Sequence, residues 1–581
     1  MNEFVARLKQ CKLVQWGLAY VAFAFALLQG VDIVAQRFAW PDSIERILIL
    51  ALAIGFCVAL VLAWYHGERG AHRVSGTEIV ILALLLAIGG GLLWQFERTA
   101  PGTSRAASAP HPSGDLVAPA KSVAVLPFVN MSGDTKNDYF SDGITEEILD
   151  ALAQIPSLKV AARTSAFAFK GKAEDLRRVG EVLDVATVLE GSVQKSGDAV
   201  RITAQLIDTR SGYHLWSEKY DRKLTSIFVV EDEISKAIAD KLQVQLAGGK
   251  GQALVAQKTV DPRAHDFYLR GLTLLAARSV AEAVAAFKQT VAIQPDYAQA
   301  WAALAEAQAL LPAYGSTAMQ IANADSLESA RRALAIEPNN ALAYVAQGMV
   351  YSNQMRWTDA DHSLRRALEL APGDAEALNQ YAQFLYGVGQ LGSALAELDR
   401  ALQRDPLSGI SAAIRIQLRV ILRRDDAATA AAQTAVIVAA HPESLFVHRS
   451  ATLVYLNLHR YPEAETQARA GAVLNGTDPQ AMALLVRGMA DPAQRTRAVQ
   501  ELETSPAVAG LKHDTVVHAL FLMYLGERDR ALAVLDQNAA QSLITQLLWF
   551  PAFDPVRDDP RFKAALKKMG LPYTPKKLAS P

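Results

Sequence analysis

Residues 122–148, SVAVLPFVNMSGDTKNDYFSDGITEEI, place Asn130, Ser132, Asp134, Asp142 and Thr145 in a polar loop between an apolar run and a helix. Such side chains, together with the free N–H groups of a helix N-terminus, could hold an anion or a phosphate. The competing reading is structural: Asp142 or Ser141 caps the helix and Gly143 relieves crowding where the helix meets a sheet. The loop has neither the GxxxxGK(S/T) phosphate cradle nor a GxGxxG pattern, which favours the structural reading. Elsewhere the 11 histidines are scattered, His513 and His518 stand at the wrong spacing for one helical face, and there is no HExxH or GxSxG. The GGKG at 248–251 lacks a preceding strand and a following Ser or Thr, so it reads as a linker. His214 and Trp216 share a strand as a packed or solvated pair, and Asp558–Asp559 belongs to a cap or turn. No catalytic, cofactor-binding or metal-ligating residue is assigned. The expectation is a protein that is not an enzyme and carries no cofactor.

The chain that positions these groups has 581 residues, too many for one core, with 51% apolar residues, 20% charged residues and a net charge of −1. That balance gives no electrostatic case for nucleic acid. The two cysteines, Cys11 and Cys57, allow neither a disulfide scaffold nor a Cys-based zinc site in the rest of the chain. The apolar excess lies at the front, in 13–31, 47–65 and a shorter 79–94, which read as three transmembrane helices flanked by Trp40, Trp64, Tyr65 and Trp94. Arg7, Lys9, Lys12, Arg69 and Arg73 put the N-terminus in the cytoplasm. Three crossings then place the C-terminal domains in the periplasm of a bacterial envelope, a multi-pass inner-membrane protein touching lipid; if the shorter 79–94 segment does not span, they stay in the cytoplasm. Residues 99–120, rich in Pro, Ser, Ala and Gly, read as a flexible linker.

From Lys121 the periodicity changes. Strands are expected at 122–128, 158–162, 186–194, 200–207 and 213–220, and helices at 138–155, 175–183 and 227–246. KSGD and DTRSG supply hairpin turns with Gly where positive φ is needed. The result is a mixed sheet with helices on one side. Three stretches, SVAVLPFVNMSGD…YFSDGITEEILDAL, LKVAARTSAFAFKG and VLDVATVLEGSVQKSGDAVRITAQLIDTRSGYHLWSEKYDR, resemble the TolB amino-terminal-like domain throughout residues 121–247. The resemblance implies kinship with CadC-type periplasmic regions and with fusions to class III adenylate cyclases and Ser/Thr kinases. This sequence departs from all of them before residue 13, where 12 residues stand in place of an effector domain, so their outputs are not carried over. A DNA-binding regulator is disfavoured for the same reason.

After a linker at 248–260, prolines 295, 338, 372 and 406 follow short helical runs, and two of their spacings match the 34-residue tetratricopeptide (TPR) period. In residues 341–372, Gly348 and Ala360 are small because two helices cross closely there. The nine extra residues of the second unit are placed in a long loop around LPAYGSTAM, and a TPR array is expected over 261–548 with a capping segment at 549–581. Stacked pairs form a superhelix whose first helices line a groove for peptides or partner helices. Tyr268, Gln299, Glu306, Asn379, Gln383, Tyr386 and Arg449 are the candidate partner-binding residues. The fold class is therefore multidomain: N-terminal transmembrane helices, a small α/β domain with a mixed sheet, and an all-α TPR superhelix. The function is a membrane-anchored protein-interaction scaffold or sensor, or alternatively a regulatory subunit or relic of a cyclase- or kinase-type signalling enzyme lacking its effector domain.

Overall fold

The computed structural model describes residues 121–153, 155, 157–223, 227–242, 260–314, 318–538 and 544–571. The sheet domain runs β1 (Ser122–Val125), β2 (Val129–Asn130), α1 (Asp138–Ala153), β3 (Lys159–Val160), α2 (Arg163–Phe167), α3 (Leu176–Leu183), β4 (Thr187–Ser196), β5 (Ala199–Asp208), β6 (His214–Lys223) and α4 (Ile227–Lys241). The strand order is β3-β1-β4-β5-β6, with β1 parallel to both neighbours and β4, β5 and β6 forming an antiparallel meander. Gly197 and Gly212 take the positive φ values, 57° and 74°, that the two hairpin turns require.

All four residues of β1 are buried. A strand that is apolar on both faces needs cover on both. Val123 and Val125 pack with Phe140, Ile144 and Ile148 of α1, whereas Ala124 packs with Val179 and Leu183 of α3. The expectation of helices on one side is thus corrected: α1 and α4 cover one face and α3 the other.

Helix pairs follow: α5 (Pro262–Ala276) with α6 (Val280–Ile293), α7 (Ala298–Tyr314) with α8 (Met319–Ile336), α9 (Ala341–Asn353) with α10 (Trp357–Leu370), and α11 (Ala375–Gly387) with α12 (Leu391–Arg404). They continue as α13 (Gly409–Ile421) with α14 (Ala427–Ala440), α15 (Leu445–Asn457) with α16 (Tyr461–Leu474), α17 (Pro479–Ala490) with α18 (Pro492–Thr504), and α19 (Thr515–Tyr524) with α20 (Arg528–Asn538). First helices open on side-chain caps, among them Asp261, Asn340, Asp374, Ser408, Ser444 and Asp478. Each of Pro295, Pro338, Pro372 and Pro406 lies just past the end of a second helix, where the lost N–H costs nothing. A Cβ on Gly271 or Gly348 would stand 2.4 Å from Phe287 or Leu364 of the facing helix, and Ala360 is fully buried. Both helices of the second unit are long: α7 has 17 residues and continues past Pro312, and α8 has 18, while residues 315–317 of the expected loop lie outside the described residues.

Sheet domain and array share one core. The cluster that holds β1, α1 and α4 continues without a break into Tyr268 and Leu269 of α5, Phe287 of α6 and Leu304 of α7. At the centre, a Cβ on Gly143 would lie 2.5 Å from Leu269, so Gly143 accommodates the first repeat helix and not the sheet. A second contact is polar: Ser165 donates to the Asp405 carboxylate, the Leu407 N–H donates to Ser165 Oγ at 2.8 Å, and the Ala162 N–H donates to Arg404 O at 2.9 Å. The end of the array folds back as well. Beyond α20, two short 3-10 turns and α21 (Pro560–Lys568) bring the Trp549 indole N–H to Gly387 O at 3.1 Å, and Met569 O to the Trp357 indole N–H at 2.7 Å.

The expected spans at 13–31, 47–65 and 79–94 and the linker at 99–120 lie outside the described residues, as do most of the 248–260 linker and the chain after 571. Among the described residues no helix is long and apolar enough to cross a membrane. A crossing takes about 20 successive apolar residues, whereas the longest of these helices has 18 and mean hydropathy near zero. The fold class is corrected to a small mixed-sheet domain joined to a large all-helical, TPR-like region. The multi-pass inner-membrane placement and the lipid contact are corrected with it.

Gly143→Val should cost about 1–3 kcal/mol through overpacking against Leu269. Gly392→Ala, on a helix surface with open space at its Cβ, should be neutral or slightly stabilising. Urea melts of the two variants, with proteolysis at α1 followed in parallel, check the pair.

Candidate functional site

The polar loop after β1 is consumed by its own domain. Thr145 Oγ1 accepts from the Phe128 N–H at 3.0 Å and donates to Ser141 O at 2.7 Å. Asn130 donates to Asp138 at 2.7 Å, Ser132 Oγ accepts from the Lys195 N–H at 2.9 Å, and Asp134 caps a short 3-10 turn ahead of α1. Helix α1 starts at Asp138, where the sequence places it. Ser141 and Asp142 lie inside it instead of capping it, and Asp142 pairs with Lys170 at 2.5 Å. The cap in this loop is Asp134, not Ser141 or Asp142.

The seven candidate partner-binding residues are not gathered in one open groove. Tyr268 is buried, its ring 5.0 Å from that of Tyr297. Asn379 is buried and accepts from Ser411 Oγ at 3.2 Å, and Tyr386 is 2% exposed. Gln383 is half-buried and its carbonyl accepts from the Gln546 amide at 3.3 Å, so the returning C-terminal segment covers this part of α11. Gln299 is half-buried on α7, and Arg449 is exposed on α15.

Glu306 belongs to a group of carboxylates that sequence reasoning did not assemble. Enclosure by protein pushes its pKa up to about 8, and the charges of Glu376, Asp374 and Glu146 push the same way. Asp150 of α1 is raised well above the usual range by the surrounding protein first, then by Glu146, Asp374 and Glu306, although its carboxylate edge meets solvent. Asp374, the solvent-exposed cap of α11, is pushed up to about 6 by the protein around it, against the Ala377 N–H from which it accepts a hydrogen bond at 2.6 Å. Glu146 is paired with Arg163 at 2.7 Å and is still raised by burial. The sheet domain's first helix, the middle of α7 and the opening turn of α11 thus bring the same sign of charge within reach of one another. The available signal was the i, i+4 pair Glu146 and Asp150 on α1.

A second group is buried where α1, α4 and α5 meet. Glu147, Glu231 and His265 bring one donor atom each to within 4.8 Å of the others, with His265 Nε2 3.8 Å from Glu147 Oε2. Glu231 is 0% exposed, and neither of its carboxylate oxygens accepts a hydrogen bond from any described residue. Burial raises the pKa of both glutamates, each carboxylate adjoins the other, and burial holds the His265 imidazole down at about 3, hence neutral. Three helices place these residues by one rule. Glu147 follows Ile144, Glu231 precedes Ile234, and His265 precedes Tyr268, each three residues away on the apolar face. A titratable residue on an apolar stripe was the legible sign.

No family model matches the chain. A curated Rhizobium meliloti (strain 1021) protein named "Putative adenylate cyclase 3" is 49% identical over 153 residues, which is 26% of each chain. This chain thus spans about a quarter of the length of that relative. Among solved structures, the TPR protein YrrB, described as having an unusual peptide-binding site, matches 32% of this chain and 89% of its own at 16% identity and a TM-score of 0.22. Pseudomonas aeruginosa PilF matches 40% and 96% at 20% identity and a TM-score of 0.27. A tetratricopeptide repeat protein of Parabacteroides merdae matches 46% and 100% at 14% identity and a TM-score of 0.31. The TPR-like description rests on this chain's own helix pairs and caps.

The raised pKa of Glu306 has a consequence for stability. A carboxyl group whose folded pKa exceeds its unfolded value contributes stability that is complete below about 4.5 and lost as the pH rises towards about 8. Glu306→Gln should therefore be neutral at pH 4.5. At pH 8.5 it should gain on the order of 1 kcal/mol, after discount for the solvent contact that Glu306 keeps. Thermal melts across that range check both the sign and the window.

Proposed function

We propose that this chain is a non-catalytic protein-interaction scaffold whose acidic group, contributed by α1, α7 and α11, takes a basic segment of a partner protein. The observation that carries the reading is the grouping of Glu146, Asp150, Glu306 and Asp374, each raised first by burial, with Asp150 and Glu306 raised further by neighbouring carboxylates and Arg163 and Arg278 the cations that act on them. Carboxylates held above their ordinary pKa by burial and like charge are relieved by an incoming lysine or arginine. The partner is a Lys- or Arg-rich peptide or helix edge, and its charge sets both affinity and on-rate.

The sheet domain is read as TolB amino-terminal-like over 121–247, and the helices as a TPR array over 261–548 closed by 549–581. The identity with part of the Rhizobium meliloti protein favours a second reading. In it, the shared region is a regulatory module that works beside a cyclase-type effector on another chain, and the basic segment belongs to that effector.

The test is fluorescence anisotropy with a labelled Lys/Arg-rich peptide, its Asp/Glu-rich counterpart, and the triple variant Asp150→Asn, Glu306→Gln, Asp374→Asn. Asn at 374 preserves the cap. The basic peptide should bind, weaken about tenfold in the variant, a loss of about 1.4 kcal/mol, and weaken with added salt. Equal binding of the acidic peptide, or a variant as tight as the parent, contradicts the reading. Cyclase activity in the purified chain alone would contradict the non-catalytic part.

A further inference from the structure

We infer that Glu147, Glu231 and His265 form a site for one divalent transition-metal ion of the zinc type, and that the ion pins the sheet domain to the first repeat. The three residues come from α1, α4 and α5, two helices of the sheet domain and the first helix of the array.

The argument begins with charge. An ionised carboxylate that is fully buried and accepts no hydrogen bond is among the most costly groups a fold can hold. Glu231 is such a group among the described residues, and Glu147 Oε2 beside it also accepts none. One proton shared between the two glutamates would leave one buried negative charge. A divalent cation neutralises both carboxylates and uses the imidazole as a third ligand. Two carboxylate oxygens and one nitrogen form a donor set that zinc accepts, with manganese and ferrous iron as weaker competitors.

Geometry fits the same assignment. Tetrahedral zinc with ligands at about 2.0–2.1 Å holds its donors about 3.4 Å apart. The donors here lie within 4.8 Å of one another, and the closest printed approach, Glu147 to His265, is 3.8 Å. Closing the triangle to metal-ligand spacing takes donor movements of up to about 1.4 Å. The Tyr297 hydroxyl is buried beside Glu147, and burial first, then the charge and hydrogen bonding of Glu147, hold its pKa up. It is the group positioned to hydrogen-bond a water or ligand at the fourth position.

Full-length protein stripped with chelator is titrated with Zn²⁺ and, separately, Mn²⁺, and followed by calorimetry and thermal melts, alongside Glu231→Gln, Glu147→Gln and His265→Gln. Glu231→Gln replaces an unpaired buried carboxylate by a neutral amide of the same shape, so it should fold. The expected result is one equivalent of Zn²⁺ bound by the parent, a melting rise of several degrees, and at least a tenfold loss of affinity in each variant. Protease sensitivity at the α1–α5 contact should rise on chelation in the parent and be metal-independent in Glu231→Gln. Two results overturn the assignment. One is a parent that takes up neither ion while Glu231→Gln is more stable than it, which identifies a proton-sharing pair. The other is variants that bind Zn²⁺ as tightly as the parent, which places the ion elsewhere.

Discussion

The apolar face of α1 is covered twice, by the sheet on one side and by α5 on the other, and the close approach of Gly143 to Leu269 makes the second cover possible. Without that approach, β1, α1 and α4 would close a core of their own and the helical array would hang from a linker. With it, the residues of α5, α6 and α7 that would form the exposed end of a TPR array become interior. A terminal repeat normally needs a polar capping face. Here the sheet domain is the cap, and the core passes through the boundary.

That shared core governs what remains of the groove. One part of it is taken by the sheet domain, which reaches from α5 to the Asp405–Leu407 turn through Ser165. Another is taken by the returning C-terminal segment, through Trp549 on Gly387 and Trp357 on Met569. The acidic group arises because α1 brings Glu146 and Asp150 within electrostatic reach of Asp374 at the capped start of α11 and of Glu306 in the middle of α7. The same docking that buries the apolar face of α1 therefore creates the charge, and also drives Glu147 against Glu231 and His265 beneath it. Packing energy offsets the cost of bringing like charges together.

Local rules were legible in the sequence. The prolines past each second helix, the small residues at Gly348 and Ala360, and the glycines of the two hairpins mark what a single turn or helix pair demands. Long-range facts were not. β1 is a short apolar run, and its pattern does not say whether one face or both are covered. The extra residues near Pro312 contain Pro and Gly, which argue for a loop, yet stacking between neighbouring pairs keeps α7 helical past the proline. Groove residues chosen by repeat position, such as Tyr268 and Tyr386, are interior because the array is filled by parts of its own chain. The two carboxylate groups join residues remote in sequence. Only a titratable side chain on an apolar stripe, as at Glu231, hinted at the buried one.

The central claim is that sheet domain and array unfold as one cooperative body through the α1–α5 contact. Native-state hydrogen exchange of the full chain, read at increasing denaturant, tests it most directly. The account predicts that the slowest amides of α1, α4 and α5 exchange with one common free energy and one denaturant dependence. Exchange of α1 and α4 through an opening of clearly lower energy, with α5 to α7 still protected, would show two independent bodies and contradict it.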